Sequence, residues 1–173
     1  RLGRRLTNGN KKTTVPWSVV SKSNLVHFFE DLEDCEEFGF DVETTGLNEN
    51  DPDSRVRMLC IAVEKRAWVI PLNIEGSPFP TPASQLKILR LVESVLKNKN
   101  GIGQNGKFDN RWLHAKYGIR FHLAFDTMLA HHILDENSNH DLKTLSRRFL
   151  DADDYDLTLG QKTGATPCDP MIV

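Results

Sequence analysis

The pattern of hydrophobic and polar positions predicts that the first half of the chain contains one helix followed by three strands. Leu25, Phe28, Phe29 and Leu32 recur at helical spacing, and Ser23 is placed to cap that helix. Three strand-like runs follow, at 38–42, 56–63 and 67–72. Because the connections between them are short, we expect these strands to pair antiparallel.

The second half alternates short extended runs with helical patterns. A proline-rich break at 77–82 precedes a predicted helix with one apolar face, formed by Leu86, Leu89, Val92 and Leu96. The remaining predicted elements are, in order, a strand at 102–104, a helix at 108–116 ended by Gly118, an extended run at 121–125, and helices at 127–134 and 142–149. Antiparallel strands followed by strand–helix alternation predict an α/β fold, a mixed β-sheet flanked by α-helices.

Composition fits one globular domain, since the chain has 173 residues and 39% hydrophobic content. We interpret 1–16 as a flexible basic lead-in and 17–173 as a single domain. The chain lacks an apolar run near the ~18 residues that span a bilayer. Cys35, Cys60 and Cys168 are widely spaced and form no zinc or disulfide pattern, so a cytoplasmic location is expected, in a bacterial cell or a phage-infected host.

The net charge of −2 argues against a protein that clamps duplex DNA over its whole surface. It does not argue against nucleic acid as such, because an acidic site can approach phosphate through bound cations.

Asp41 and Glu43 end an apolar strand two positions apart, so both carboxylates face the same side of the sheet. Two such charges repel unless a cation lies between them, and hard divalent cations prefer oxygen ligands. The alternative is an ordinary pair of surface acids.

Asn105 and Asp109 lie four positions apart and share one face at the start of a predicted helix, where Asp109 could complete an acidic cluster. The alternative is a first-turn acid favoured by the helix dipole. Gly101, Gly103 and Gly106 also satisfy a dinucleotide-binding fingerprint, with Asp126 about 20 residues further on. The polar run 97–100 before the first glycine and the upstream antiparallel strands disfavour that interpretation.

Asp126 follows an extended run and opens a helix, so helix capping is its expected role. The adjacent His131 and His132 face different directions on a helix, and the six histidines are interpreted as packing or surface groups. The three tryptophans, at 17, 68 and 112, are predicted to be core or anchor residues.

These motifs, taken in order, resemble the acidic 3′→5′ exonucleases of the DEDD superfamily. The run 40–47 (FDVETTGL) resembles their first motif and the run 103–109 (GQNGKFD) their second. The stretch up to residue 149, with 114–119 (HAKYGI), 125–129 (FDTML) and 140–145 (HDLKTL), resembles the exonuclease domain of polymerase I-type, family A, DNA polymerases. The resemblance covers about residues 36–150 and implies a ribonuclease H-like fold.

The resemblance implies proofreading by hydrolysis of the terminal phosphodiester of a single-stranded DNA 3′ end. It implies two divalent cations, Mg²⁺ or Mn²⁺, held by Asp41, Glu43 and Asp109, with Asp41 contacting both. The residues that it implies for substrate binding are Thr44, Leu47, Gln104, Asn105 and Phe108. It also implies a polymerase domain C-terminal to this one in the parent chain, and no membrane.

One family motif, Tyr-x-x-x-Asp, is absent from the sequence, because Tyr117 and Tyr155 are followed four positions later by Phe121 and Leu159. We therefore expect a domain truncated before its third motif, whose cleavage activity on its own is weak. Two alternatives stay open at this point. One is a catalytically silent nuclease-fold module that binds a 3′ strand or supports a polymerase, and the other is ribonuclease D-like processing of RNA 3′ ends.

Overall fold

A computed structural model describes residues 15–151 and contains six strands and five helices in that range. In chain order these are β1 (Trp17–Val19), α1 (Leu25–Asp34), β2 (Glu37–Thr44), β3 (Val56–Val63), β4 (Arg66–Pro71), α2 (Pro82–Leu96), β5 (Asn100–Gly103), α3 (Gly106–Tyr117), β6 (Leu123–Asp126), α4 (Thr127–Leu134) and α5 (Leu142–Leu150). The predicted α/β class is confirmed.

The six strands form one mixed sheet in the order β1-β4-β3-β2-β5-β6. Strands β2, β3 and β4 pair antiparallel, as their short connections predict. Strand β5 pairs parallel with β2, and β6 pairs parallel with β5. Strand β1 pairs parallel with β4, so β2 and β4 are the two strands with one antiparallel and one parallel neighbour.

Strand β2 separates the two faces of the sheet by simple alternation. Phe38, Phe40 and Val42 are buried, whereas Asp41 is exposed and Glu43 half-buried. The buried face packs against helices, and its core includes Trp68 and Trp112, as predicted. The other face carries the polar residues of β2, so the hydrophobic alternation that builds the core also places both acids on the opposite side.

Two helix termini follow directly from sequence. Thr81 and Ser84 form a reciprocal capping box at the start of α2, and Pro82 occupies the first helical position, where its missing amide hydrogen costs nothing. Gly118 ends α3 in the left-handed region at φ 66°, with its amide bonded back to His114. The predicted stop at Gly118 is confirmed.

Several local predictions are wrong. Strand β1 was missed because three residues are too few to show a period of two, and its evidence is parallel pairing with β4. Trp17 lies on this edge strand and is 56% exposed, so it is not a core residue. Asn24 rather than Ser23 precedes α1, and its side chain bonds outside the helix. Leu86 is 40% exposed, whereas Gln85 and Ile88 are buried.

Strand β5 and helix α3 begin earlier than predicted, whereas β6 begins later, at Leu123. Strand β5 starts at Asn100, within the polar run 97–100, and α3 starts at Gly106. The lead-in at 1–16 lies outside the described residues except for its last two positions, and most of the tail at 151–173 lies outside them as well. Among the helices of the described part, none is long and apolar enough to cross a membrane.

Candidate active site

The two acids of the first motif lie at the carboxyl end of β2. Asp41 is the cross-strand partner of Cys60 and Glu43 that of Met58, and the register shifts between Glu43 and Thr44. Such an irregularity bends the strand at its end and redirects the side chains there. The predicted placement of Asp41 and Glu43 on one side agrees with the alternating burial of β2.

Asp109 reaches β2 from the first turn of α3. The last residue pair between β2 and β5 is Gly39 with Ile102, so the amide of Val42 extends beyond the ladder. The Val42 amide donates to Asp109 Oδ1 at 2.8 Å, and this carboxylate takes the place of a strand carbonyl. Asp109 is only 3% exposed. Because Val42 lies between Asp41 and Glu43 in the chain, this bond brings the third acid beside the other two.

Burial raises the pKa of all three carboxyl groups, and neighbouring negative charges add to the rise for Asp41 and Asp109. Loss of hydration, helped by the charges of Asp109 and Glu43, raises the pKa of Asp41 to about 7 even though Asp41 keeps access to solvent on its open side. Burial raises the pKa of Asp109 to about 6, against the lowering effect of the Val42 bond. Burial also raises the pKa of Glu43, and Arg57 partly offsets this. The site therefore concentrates negative charge that a cation would relieve.

Asp126 caps α4 as predicted, by accepting hydrogen bonds from the amides of Met128 and Leu129 at 3.0 and 3.3 Å. Its carboxylate also accepts from the amides of Asn105 and Gly106 at 3.1 and 2.9 Å. One buried carboxylate thus satisfies amides at the start of two helices, α3 and α4. Sequence reasoning missed the second contact, since no spacing rule links a helix cap to a helix 20 residues earlier.

The same contact explains why the glycine pattern is not a dinucleotide site. Strand β5, helix α3 and strand β6 do form a parallel strand–helix–strand unit. However, the amides that would bind a pyrophosphate already bind Asp126. The glycines serve packing: a Cβ at Gly101 would lie 2.5 Å from the His122 carbonyl, and one at Gly103 would lie 2.9 Å from the Gly106 Cα.

The predicted substrate residues of the first motif lie on an anchored loop. Thr44 donates through Oγ1 to the Gly46 carbonyl at 2.7 Å, and the Leu47 side chain is 84% exposed. Arg111 of α3 pairs with Glu49 at 3.1 Å, which fixes this loop to the helix that carries Asp109. Leu47 therefore projects into solvent from a loop whose base is held beside the acids.

Gln104 has both ends of its carboxamide engaged within the protein. Its Nε2 donates to the His140 carbonyl at 2.7 Å, and its Oε1 accepts a short hydrogen bond from Thr127 Oγ1. The first of these bonds joins the β5–α3 turn to the connection before α5. The structure thus shows Gln104 as a structural link, and its predicted contact with a nucleotide stays a prediction.

Asn105 precedes α3 in the left-handed region at φ 58°, a conformation that asparagine tolerates better than most residues. The Asn105 side chain makes no capping bond to α3 and is half-buried. Phe108 is half-buried against the core, with its ring centroid 6.1 Å from that of Trp112. Their predicted roles in substrate binding stay predictions.

Within residues 15–151, no three His, Cys, Asp or Glu side chains lie in an arrangement that could already hold a metal ion. The donor set nevertheless suits hard divalent cations, because Asp41, Glu43 and Asp109 offer only carboxylate oxygens. Burial raises the pKa of each, and neighbouring carboxylates add to the rise for Asp41 and Asp109. Asp109 has one oxygen committed to Val42, which leaves the other available.

Comparison with known proteins agrees with these motifs. A family model described as a 3′-5′ exonuclease matches residues 17–172. DNA polymerase I of Pseudomonas aeruginosa is 28% identical over 138 residues, a match that covers 76% of this chain. The chain spans only 15% of the length of that relative.

Solved structures share the fold. NrnC of Brucella melitensis with bound Mg²⁺ superposes with a TM-score of 0.57 at 21% identity, covering 82% of this chain and 64% of that one. RNase D of Trypanosoma brucei in complex with RNA U12 superposes with a TM-score of 0.67 at 11% identity, covering 92% of this chain and 55% of that one. These structures confirm the predicted ribonuclease H-like architecture.

Proposed function

The chain belongs to the family of 3′→5′ exonuclease domains of DNA polymerase I-type enzymes, and on that basis we propose that it hydrolyses the terminal phosphodiester at the 3′ end of single-stranded DNA. The observation that carries the proposal is the meeting of Asp41 and Glu43 from β2 with Asp109 from α3. Placing these carboxylates close together costs stability when they are charged, and a bound cation would offset that cost.

Asp41, Glu43 and Asp109 are the residues that would hold the divalent cations, Mg²⁺ or Mn²⁺. Bound cations would supply the charge that activates a water molecule and neutralises the phosphate. The contribution of the chain is placement: Val42 orients Asp109, and Asp126 fixes the start of the helix that carries it.

Several features support a single-stranded DNA end as the substrate. The net charge of −2 suits a protein that receives one strand in a local site better than one that clamps a duplex. The exposed side chain of Leu47, beside the acids, is suited to contact a terminal base. The polymerase I relative supports DNA over RNA, and it supports a polymerase domain as the partner within a longer chain.

The first test is cation binding. Mg²⁺ or Mn²⁺ should raise the melting temperature, and Asp41→Asn should abolish that rise. Glu33→Gln, which removes an exposed carboxylate on α1, is the matched control and should keep it. An equal cation-induced rise in Asp41→Asn would contradict the site.

The second test is substrate choice. With Ca²⁺ present to suppress cleavage, a 3′-ended single strand should bind more tightly than blunt duplex, and DNA more tightly than RNA. With Mg²⁺, prolonged single-turnover digestion of a 5′-labelled strand should give a ladder that shortens from the 3′ end, slowly because the Tyr-x-x-x-Asp motif is absent. Binding without any cleavage would favour the silent module, and a preference for RNA would favour ribonuclease D-like processing.

A further inference from the structure

Three histidines and an arginine form a connected hydrogen-bond chain beside the proposed site, which we call the histidine cluster: His131 and His132 of α4, His140 before α5, and Arg148 of α5. His131 Nδ1 lies 2.7 Å from His140 Nδ1, and His132 Nδ1 lies 3.1 Å from His140 Nε2. Arg148 Nη1 lies 3.1 Å from His131 Nε2. The His131 side chain is buried.

The arginine determines the direction of every bond in the cluster. A guanidinium can only donate, so His131 Nε2 must accept and the His131 proton must be on Nδ1. His131 then donates to His140 Nδ1, which leaves the His140 proton on Nε2. His140 in turn donates to His132 Nδ1. Since the two contacts of His140 use opposite ring nitrogens, the three rings cannot converge on one metal ion.

This assignment leaves no place for an additional proton. Each ring has one acceptor nitrogen, and each acceptor already receives a hydrogen bond from within the cluster. Protonation of any ring therefore places two N–H groups face to face and breaks a bond. A protonated ring is thus incompatible with the connected chain, and acid should open the cluster.

A charged pair lies against His131. Arg148 Nη1 is 3.1 Å from His131 Nε2 and 3.5 Å from Asp135 Oδ2. The ring of Phe149 packs edge-on against His131, with centroids 5.7 Å apart. Asp135 therefore holds Arg148 in place against the ring of His131.

The cluster is connected to the proposed site through one peptide group. The carbonyl of His140 accepts the bond from Gln104 Nε2, and Gln104 immediately precedes the first turn of α3. His140 thus acts on the site through Gln104, which makes it a positioning residue. The carboxamide of Gln104 keeps a second N–H, which this bond holds in a fixed orientation.

We propose that the histidine cluster is a proton-sensitive lock. It holds Nε2 of Gln104 through the His140 carbonyl while its three rings are neutral, and it releases that end of the carboxamide on protonation, with Oε1 still bonded to Thr127. Its effect on nucleic acid rests on the proposed function: release of Gln104 should weaken single-strand binding, because the oriented amide is lost.

The direct test is nuclear magnetic resonance of the ¹⁵N-labelled 173-residue protein. At pH 8, long-range ¹H–¹⁵N spectra should show the proton of His131 on Nδ1 and that of His140 on Nε2. On titration to pH 5, the side-chain amide signals of Gln104 should shift with the same midpoint as both rings. A His131 proton on Nε2, or a Gln104 signal that stays fixed while the rings titrate, would overturn the proposal.

Two variants separate the lock from the neighbouring carboxylates. His140→Gln should remove the pH response of Gln104, whereas His27→Gln, at an exposed histidine on α1, should leave it intact. A response that persists in His140→Gln would belong to the carboxylates and would refute the lock. If His140→Gln does not fold, Arg148→Met at an exposed position serves instead. It frees His131 Nε2 to take an added proton without breaking the chain, so the pH response of Gln104 should be lost.

Strand binding is measured separately, with Ca²⁺ and a 3′-ended oligonucleotide. Binding by the native protein should weaken several-fold more between pH 7.5 and pH 5.5 than binding by His140→Gln. Equal pH dependence in the two proteins would overturn the functional part of the lock. Absence of strand binding at every pH, together with a normal Gln104 titration, would refute the proposed function and leave the lock intact.

Discussion

Asp126 Oδ2 accepts a hydrogen bond from the Gly106 amide at 2.9 Å, so one carboxylate at the end of β6 holds the start of the helix that carries Asp109. Asp126→Ala would leave the buried amide of Gly106 and half-buried amides at the starts of α3 and α4 without an acceptor. We expect a loss of about 2–4 kcal/mol in the free energy of unfolding, measured by urea denaturation. Asp141→Ala, which removes the exposed cap of α5 alone, is the control and should cost about 1 kcal/mol. Equal losses would contradict the double role of Asp126.

The clustered acids predict an unusual pH dependence of stability when cations are removed by EDTA. The pKa of Asp41 rises from 3.8 to about 7 on folding, so the folded protein binds a proton more tightly than the unfolded chain. Its contribution to stability is complete below pH 3.8 and is lost as the pH rises through about 7. Asp109, with a pKa of about 6, acts in the same direction.

The measurement is the melting temperature of native protein minus that of Asp41→Asn, taken from pH 5 to pH 8. This difference cancels the contribution of titratable groups that the two proteins share. It should fall as the pH rises, and saturating Mg²⁺ should abolish the fall. A difference that rises with pH would show that Asp41 is stabilised in its charged form.

Substitution of Leu47 should weaken binding of a single strand without changing the stability of the protein. Its side chain is 84% exposed, so Leu47→Ala should leave the melting temperature unchanged. Binding of a 3′-ended single strand should weaken about five-fold, or about 1 kcal/mol, through loss of apolar contact with a base. Ile133→Ala is the matched control, since Ile133 on α4 is also 84% exposed. The same weakening in both variants would remove the special role of Leu47.

Adding a side chain at Gly103 should cause a steric clash at the turn between β5 and α3. A Cβ at this position would lie 2.9 Å from the Gly106 Cα, so Gly103→Ala should displace the start of α3 and cost about 1–3 kcal/mol of stability. It should also reduce the Mg²⁺-induced rise in melting temperature, because Asp109 moves with the helix. Gly46→Ala adds a Cβ with no atom within 4 Å and should change stability by less than about 0.5 kcal/mol. If Gly103→Ala leaves the stability unchanged, the turn can accommodate a Cβ and this prediction is wrong.

The sequence predicted most of the fold because hydrophobic periodicity carries that information. Strand β3 and helix α4 have the predicted bounds, and the shared side of Asp41 and Glu43 follows from a period of two. Strand β1 was not predicted because it is recognised only through its pairing with β4, which lies far along the chain. The exposure of Trp17 has the same cause, since an edge position is a property of the assembled sheet.

The sequence pointed to the three acids, whose role stays a prediction, but it did not predict the hydrogen bonds around them. Asp109 was expected beside the other acids, but its bond to Val42 depends on where the β2–β5 ladder ends. The commitment of Gln104 to His140 crosses 36 positions and follows from no local rule. The histidines were expected to be packing or surface groups, and their directional chain required the position of Arg148.

The position of β2 between its antiparallel and parallel neighbours has a consequence for folding. The meander of β2, β3 and β4 closes over short connections, whereas the bond between Val42 and Asp109 spans 67 positions. Contacts that close long loops form late, because the entropy of closure must be overcome before they stabilise the chain. During synthesis from the N-terminus, Asp41 and Glu43 can therefore be paired with β3 well before α3 emerges. The protein acquires its framework first, and Asp109 joins the other two acids only when the parallel half of the sheet docks.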